Sequence, residues 1–253
     1  MNSISANLNI MIKASEKASK VLIRDFGEVE KLQVSAKGPL DFVSNADTKA
    51  EKIIIDELIK SKRNYSIISE ESGIKINNNK ENVWIIDPID GTTNFLHGVP
   101  HFAISIALKS KNEIMSGLIY DPIKDEMFYA EKNNGAYFNN QRIKVSKKKN
   151  LNNCLFATGG VETDIIKIKE NITLRKSGSA ALDLAYVASG RYDGCFQKNL
   201  RIWDIAAGII LVKEAGGIIN NIDISDISKD KKIKVLASSS EINEKLIQNL
   251  INF

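Results

Sequence analysis

The chain has 253 residues, of which 43% are hydrophobic and 26% are charged. This composition is typical of a globular protein and excludes a disordered or collagen-like chain. The net charge of +4 is too balanced to indicate a dedicated nucleic-acid binder, and the basic runs at 147–149 and 229–232 are typical of solvated loops. Two cysteines, Cys154 and Cys195, exclude a disulfide scaffold. No apolar stretch is long enough to span a membrane, so we expect a cytoplasmic protein with free thiols.

The N-terminal half is predicted to combine helices with an antiparallel sheet. Apolar residues at helical spacing predict one helix over 4–26. A second helix is expected to begin between Ser44 and Asp47 and to continue to 61, since Ser44, Asn45 and Asp47 are good N-cap residues. Strands are then predicted at 65–69, 83–86, 102–108, 114–120, 126–130 and 136–145. The second of these strands should stop at Asp87-Pro88, because proline cannot donate to a strand ladder.

The C-terminal half is predicted to alternate strands and helices. Its strands are expected at 154–157, 193–197, 217–222 and 233–237, and its helices at 179–189, from Trp203 to about 216, and from Ser240 onwards. The fold class is therefore α/β with an α+β N-terminal half. The basic loop at 146–150 is the expected boundary between an N-terminal unit, 1–146, and a C-terminal unit, 147–253.

The segment 84–95, WIIDPIDGTTNF, contains the clearest chemical signal. An apolar strand leads to two carboxylates, Asp87 and Asp90, and Gly91 then permits a tight turn into a helix start. The free N–H groups of a helix start can bind a phosphate without any basic side chain. Carboxylates beside a phosphate suit Mg²⁺, which typically binds one or two carboxylates together with phosphate oxygens.

Two further acids lie at comparable junctions. Glu70 follows a predicted strand, and Asp204 precedes the apolar run 205–212. Each acid alone has a simpler explanation, as a turn residue for Asp87 and Asp90 or as an N-cap for Asp204. If the four converge, their buried charges require cations, because an uncompensated buried charge costs several kcal/mol.

These motifs closely resemble those of the inositol monophosphatase family. The resemblance includes DPIDGTTNF, the preceding EES, WDIAAGIILVKEAGG, and the blocks at 37–47 and 178–194, and it covers nearly the whole chain. It implies a layered αβαβα sandwich, shared with fructose-1,6-bisphosphatase-like proteins, and a Mg²⁺-dependent, Li⁺-sensitive phosphomonoesterase that is commonly a homodimer.

The resemblance also implies a role for each motif residue. Two or three Mg²⁺ ions would be held by Glu70, Asp87, the backbone carbonyl of Ile89, Asp90 and Asp204, with Asp87 shared between two ions. Asp87, Glu70 and Thr92 would be catalytic, the last two by orienting the attacking water. Asp47 matches an acidic position at the rim. The expected substrate contacts are Ile89, Asp90, Gly91, Thr92, Arg175, Gly178, Ser179, Ala180, Gln197 and Asp204. His97 and His101 are interpreted as structural or surface residues, because hard metal ions prefer oxygen ligands.

Two features depart from the family pattern. Gln197 stands where many inositol phosphatases have a glutamate, and the stretch 159–173 is short by roughly a dozen residues, which affects the expected substrate rim and dimer edge. An amide accepts a hydrogen bond less strongly than a carboxylate does, so the preference for inositol is in question, whereas the phosphatase chemistry is not.

The leading hypothesis is hydrolysis of myo-inositol monophosphate and related polyol or sugar phosphates. The alternatives are the same chemistry on fructose 1,6-bisphosphate, histidinol phosphate or 3′-phosphoadenosine 5′-phosphate. A non-catalytic role as a partner of the transcription antitermination machinery in ribosomal RNA synthesis is a further alternative, because the resemblance extends to proteins with that role. A purely structural acid cluster is disfavoured, since Glu70, Asp87, Asp90 and Asp204 are all present.

Overall fold

The computed structural model describes residues 4–32, 39–77, 79–159, 167–168, 172–220, 222–225, 228 and 231–251. These residues form six helices and fifteen strands. The helices are α1 (Ala6–Leu32), α2 (Pro39–Ser61), α3 (Thr92–Leu96), α4 (Ala180–Ala188), α5 (Ile202–Glu214) and α6 (Ser240–Asn249). The strands are β1 (Tyr65–Ser69), β2 (Gly73–Lys75), β3 (Asn79–Asp90), β4 (Ala103–Ser110), β5 (Glu113–Asp121), β6 (Glu126–Glu131), β7 (Gly135–Phe138), β8 (Gln141–Ile143), β9 (Leu155–Gly159), β10 (Lys167–Ile168), β11 (Thr173–Arg175), β12 (Gly194–Leu200), β13 (Gly217–Ile219), β14 (Ile233–Ser239) and β15 (Leu250–Ile251). None of the described helices is long and apolar enough to cross a membrane.

Most strands belong to two sheets. The larger sheet has the order β2-β1-β3-β4-β5-β6-β7-β8, in which only the β1–β3 pair is parallel. The smaller sheet has the order β11-β9-β12-β14-β13, and β9 runs parallel to both of its neighbours. The prediction of an antiparallel sheet in the N-terminal half is therefore confirmed.

The larger sheet is buried on both faces. Along β3, Val83 and Ile85 belong to a central core, whereas Trp84 and Ile86 belong to the core under α1 and α2. Successive side chains of a strand point to opposite faces, so one apolar run fills two cores. This explains why the segment around Trp84 is continuously hydrophobic.

The smaller sheet has the same two-sided burial. Ala157, Cys195 and Val235 face the central core, in which α4 and α5 are buried. Their neighbours Phe156, Phe196 and Leu236 pack with residues of α6. The layers are thus α1/α2, the large sheet, α4/α5, the small sheet and α6, which confirms the αβαβα sandwich. The central core contains residues from both halves of the chain, and the unit boundary at 146/147 stays a prediction.

Several predicted element boundaries are wrong, and the helix predicted over 4–26 is observed as Ala6–Leu32. Helix α2 begins at Pro39, not between Ser44 and Asp47, because proline fits a first helical turn where no N–H is needed. Strand β3 does not end at Asp87-Pro88 but continues to Asp90 through an irregularity. The region predicted as one strand over 136–145 is two strands, separated by Asn139 and Asn140 in the left-handed conformation.

Two segments discussed from the sequence lie partly outside the described residues. They are the short stretch 159–173, most of which is not described, and the basic run at 229–232, half of which is not described. The predicted strand at 217–222 is observed as Gly217–Ile219.

Candidate active site

Ends of elements from both sheets and from the central helices surround one cavity of about 230 Å³. Its walls come from the β1–β2 turn, the end of β3, the start of α3, and the N-terminal turns of α4 and α5. The lining residues are Glu70, Asp87, Ile89, Asp90, Gly91, Thr92, Gly159, Gly178, Ser179, Ala180, Asp183, Gln197, Leu200 and Asp204. Every predicted site residue except Arg175 is therefore at this cavity.

A bulge at the end of β3 brings Asp87 and Asp90 to the same cavity. Asp87 is paired with Ser105 of β4 and Asp90 with Ala103, so three steps on β3 match two on β4. In a regular strand, residues three apart point to opposite faces, and one additional residue restores a common face. Pro88 lies within this irregularity, where its missing N–H is tolerated.

Hydrogen bonds fix both carboxylates. Asp87 Oδ1 accepts from the backbone N–H of Ile89 at 3.0 Å. Asp90 Oδ2 accepts from the Ser179 hydroxyl and from the backbone N–H of Ala181 at 2.8 Å. Ser179 is also the N-cap of α4, since its Oγ accepts from the N–H of Leu182 at 3.2 Å. The start of α4 is thereby tied to the end of β3.

Asp204 comes from the first turn of α5. Its Oδ2 accepts from the backbone N–H of Arg201 at 2.8 Å, so Arg201 occupies the N-cap position and Asp204 is the third helical residue. The simpler interpretation of Asp204 as the N-cap itself is wrong. A carboxylate in the first turn also interacts favourably with the helix dipole.

The three aspartates form a concentrated negative site. Oxygens of Asp87, Asp90 and Asp204 all lie within 4.8 Å of one another. Burial raises the pKa of Asp204 to about 8, with a further contribution from Asp90. Burial and the charges of Glu70, Asp90 and Asp204 raise the pKa of Asp87 well above its ordinary value. Burial raises the pKa of Asp90 to about 6, opposed by its bonds from Ser179 and Ala181.

This donor set fits a divalent cation. Buried carboxylates that repel one another are stabilised when a cation lies between them, and carboxylate oxygens are the ligands that Mg²⁺ prefers. Glu70 lines the same cavity from the β1–β2 turn. Asp47 of α2 is buried, and its pKa is raised to about 8 by burial and by the charges of Glu71, Glu70 and Glu51.

The turn after Asp90 has the geometry predicted for a helix start. Gly91 has φ 101°, which favours glycine, and α3 begins at Thr92. The Thr92 hydroxyl donates to the carbonyl oxygen of Ile89 at 2.9 Å. That bond places the hydroxyl beside the carbonyl that the resemblance assigns to a metal ion.

A second glycine turn packs directly against this one. A Cβ on Gly91 would lie 3.3 Å from the carbonyl oxygen of Gly178, and a Cβ on Gly178 would lie 2.9 Å from Asn94 Nδ2. Asn94 Nδ2 donates to the carbonyl oxygens of His101 at 2.7 Å and Ser177 at 2.8 Å. Asn94 therefore joins the loop that follows α3 to the loop that precedes α4.

The cavity includes one acid that the motifs did not indicate. Asp183 is 1% exposed, and its Oδ2 accepts from Gln197 Nε2 at 2.6 Å. Burial, together with the charge of Asp90, raises the pKa of Asp183 well above its ordinary value. Asp183 could have been found in the sequence as the one acid in an otherwise apolar helix. It follows Ser179 by four residues, so the two side chains lie on the same face of that helix.

Three residues discussed from the sequence lie elsewhere. Arg175 is exposed on the edge strand β11, and its Nη1 donates to the carbonyl oxygen of Leu174 at 3.0 Å. His97 is exposed, with Nδ1 2.9 Å from the carbonyl oxygen of Thr93. His101 is half-buried outside the cavity, and burial lowers its pKa.

Comparison with known proteins identifies relatives that cover most of the chain. The family model described as "Inositol monophosphatase family" matches residues 5–252. The "Inositol-1-monophosphatase" of Rhizobium meliloti is 46% identical over 224 residues, covering 84% of each chain. The "Nus factor SuhB" of Escherichia coli K12 is 42% identical over 225 residues, covering 85% of this chain and 84% of its own. The crystal structure of "extragenic suppressor protein suhB" from Bartonella henselae is 47% identical, with a TM-score of 0.86 over 97% of this chain and 98% of that one.

Proposed function

Because this chain belongs to the inositol monophosphatase family, a family of phosphatases, we propose that it is a Mg²⁺-dependent enzyme that hydrolyses myo-inositol monophosphate and related polyol or sugar phosphates. The observation that carries the proposal is the set of three aspartates whose oxygens lie within 4.8 Å of one another at a cavity. The cavity that they line has a volume of about 230 Å³.

Glu70, Asp87 and the Ile89 carbonyl would hold one ion, and Asp87, Asp90 and Asp204 would hold a second, with a weaker third ion near Glu70. When bound, Mg²⁺ lowers the pKa of a coordinated water and offsets charge on the attacking and leaving oxygens. The aspartates are pre-positioned for this role by their hydrogen bonds from Ile89, Ser179 and Arg201.

The chain's other groups orient the reactants. Thr92, whose hydroxyl hydrogen is already donated to Ile89, offers its lone pairs to a water, and Glu70 can accept a second hydrogen from that water. The N–H groups of Gly91 and Thr92 are suited to the phosphate oxygens. Attack in line with the ester bond forms one P–O bond and breaks another, and a proton passes to the departing alcohol.

The substrate alcohol is expected beside the start of α4. Gly178, Ser179, Ala180 and Gln197 line that part of the cavity. Gln197 Nε2 donates one hydrogen bond to Asp183, and we expect its carbonyl oxygen to accept from a substrate hydroxyl. Arg175 lies outside the cavity, so it would contact only a substrate that extends beyond it. Inhibition by Li⁺, a homodimer and a cytoplasmic location belong to the same proposal.

Phosphate release from a substrate panel tests the function. The panel comprises myo-inositol 1-phosphate, glycerol 2-phosphate, fructose 1,6-bisphosphate, histidinol phosphate and 3′-phosphoadenosine 5′-phosphate, each with and without Mg²⁺. Mg²⁺-dependent release that favours inositol 1-phosphate is expected. Preference for another ester would keep the mechanism and change the substrate, whereas no release by a folded protein would refute the enzyme proposal.

A second candidate function is suggested by the relatives named "Nus factor SuhB". In it, the chain would also act as a partner of the transcription machinery. Such a role depends on the protein surface and not on the buried carboxylates. Asp87→Asn should therefore abolish phosphate release while leaving a partner role intact, and loss of both together would contradict a separate partner role.

A further inference from the structure

We propose that Glu51 is a positioning residue that holds the Glu70 turn in the geometry needed to bind the cation. This inference rests on the proposed function, because Glu70 matters here as a cation ligand. The observation behind it is independent of any metal: one buried carboxylate on α2 accepts three hydrogen bonds from a single short segment around Glu70.

Glu51 accepts three hydrogen bonds from the segment 69–72. Its Oε2 accepts from the Ser69 hydroxyl and from the backbone N–H of Glu71 at 3.1 Å, and its Oε1 accepts from the backbone N–H of Ser72 at 3.1 Å. Glu51 is 4% exposed and Ser69 is fully buried. Hydrogen bonds to a charged acceptor are roughly twice as strong as neutral ones, so this carboxylate constrains the turn strongly.

The other side of the same turn is anchored to the strand that bears the aspartates. The backbone N–H of Glu70 donates to the carbonyl oxygen of Ile86 at 3.3 Å, the residue immediately before Asp87. Glu70 is thus held between β3 on one side and Glu51 on the other. Loss of Glu51 would remove three hydrogen bonds from the segment 69–72.

The carboxylate of Glu51 is better suited to this turn than an uncharged acceptor would be, despite the repulsion that its charge causes. The helix α2 carries Asp47 one turn earlier, so a second acid here adds repulsion to a region that is already negative. An uncharged acceptor would avoid that cost. What a carboxylate offers and an amide does not is two acceptor oxygens, and both are used on this turn.

The decisive measurement is the affinity for Mn²⁺, an oxygen-preferring ion whose free concentration is read by electron paramagnetic resonance. Glu51→Gln should raise the dissociation constant for Mn²⁺ by roughly tenfold, as is typical when a group that orients metal ligands is lost. Phosphate release at saturating Mg²⁺ should recover most of the wild-type rate. Amide hydrogen exchange at 70–72 should become faster.

Glu57→Gln is the matched control. Glu57 lies on the same helix and bonds across to Lys17 of α1, away from the cavity, so the substitution should leave Mn²⁺ affinity unchanged. Should Glu51→Gln fail to fold, Ser69→Ala removes one of the three bonds and should raise the dissociation constant by a smaller factor.

The outcomes separate the two proposals. Unchanged Mn²⁺ affinity and unchanged exchange at 70–72 in Glu51→Gln, or unchanged affinity in Ser69→Ala if that variant is needed, would overturn the positioning role alone. A merely structural role would lower the melting temperature and leave affinity as it was, which also overturns the proposal. Mn²⁺ binding without phosphate release in the wild type would refute the proposed function and leave the Glu51 comparison valid.

Discussion

The acidic cluster predicts that the metal-free protein loses stability as the pH rises, the reverse of ordinary acid denaturation. Burial raises the pKa of Asp90 from 3.8 to about 6 and that of Asp204 from 3.8 to about 8. A raised pKa means that the folded state binds more protons than the unfolded state between the two values. Stability therefore falls with increasing pH across that interval.

The magnitude follows from Asp90. Each pKa unit corresponds to about 1.4 kcal/mol, so the interval from 3.8 to about 6 represents about 3 kcal/mol of unfolding free energy lost by about pH 6. Asp204 extends the loss to about pH 8, and because the two carboxylates interact, their contributions do not simply add. Asp193, whose pKa is lowered by Lys148, Ser146 and Leu155, titrates below this interval and does not mask the effect.

Urea unfolding at several pH values between about 4 and 8, with EDTA and with saturating Mg²⁺, measures this directly. In EDTA the unfolding free energy should fall by about 3 kcal/mol over that range, reduced by the opposite contribution of His101, whose pKa burial lowers. Mg²⁺ should restore it, most at the alkaline end, because a ligand that binds only the folded state stabilises it. A flat or rising curve in EDTA would refute the assignment of these carboxylates as mutually repelling and uncompensated.

Four substitutions extend the test. Asp87→Asn should reduce phosphate release by more than roughly 100-fold, since a shared ligand is lost, with circular dichroism confirming the fold. Asn94→Asp replaces the donor to His101 and Ser177 with an acceptor and should lower the unfolding free energy by about 1–3 kcal/mol; an unchanged urea midpoint would contradict the bridge. Gly178→Ala should cost at least about 1–2 kcal/mol, because φ is 85° and the added Cβ meets Asn94. Gln197→Glu should destabilise the protein by about 1–3 kcal/mol despite restoring the family's usual carboxylate, since it faces Asp183 at 2.6 Å; higher stability at pH 8 would refute this.

Local patterns were sufficient for the elements with strong periodicity. Strand β1 was predicted with its observed bounds, and helix α4 was predicted to within about one residue at each end. Both predictions succeeded because alternation and apolar spacing are local properties of the sequence. Edge strands such as β2 and β11 were not predicted. Each has three residues, and such short strands depend on pairing with a neighbour and not on their own sequence.

The candidate site divides in the same way. The aspartates at 87 and 90 and the turn at Gly91 were predicted from one contiguous segment of the sequence. Glu70 and Asp204 were predicted from the junctions at which they lie, whereas Glu51 and Asp183 lie inside predicted helices, away from any such junction. Glu51 accepts hydrogen bonds from a turn about twenty residues later in the chain. Asp183 accepts one from Gln197, which is fourteen residues later and lies on a strand of the smaller sheet.

The sequence by itself determined the types of groups available: oxygen ligands, a phosphate-binding turn and a family motif to which they belong. Only the tertiary structure decided which of them meet. A bulge in β3 brings Asp87 and Asp90 to one face, and the first turns of α4 and α5 bring Ser179 and Asp204 against them. The physical reason is that burial and close charge arise from packing between distant segments, and these contacts, absent from any local pattern, set the pKa values and the affinity for a cation.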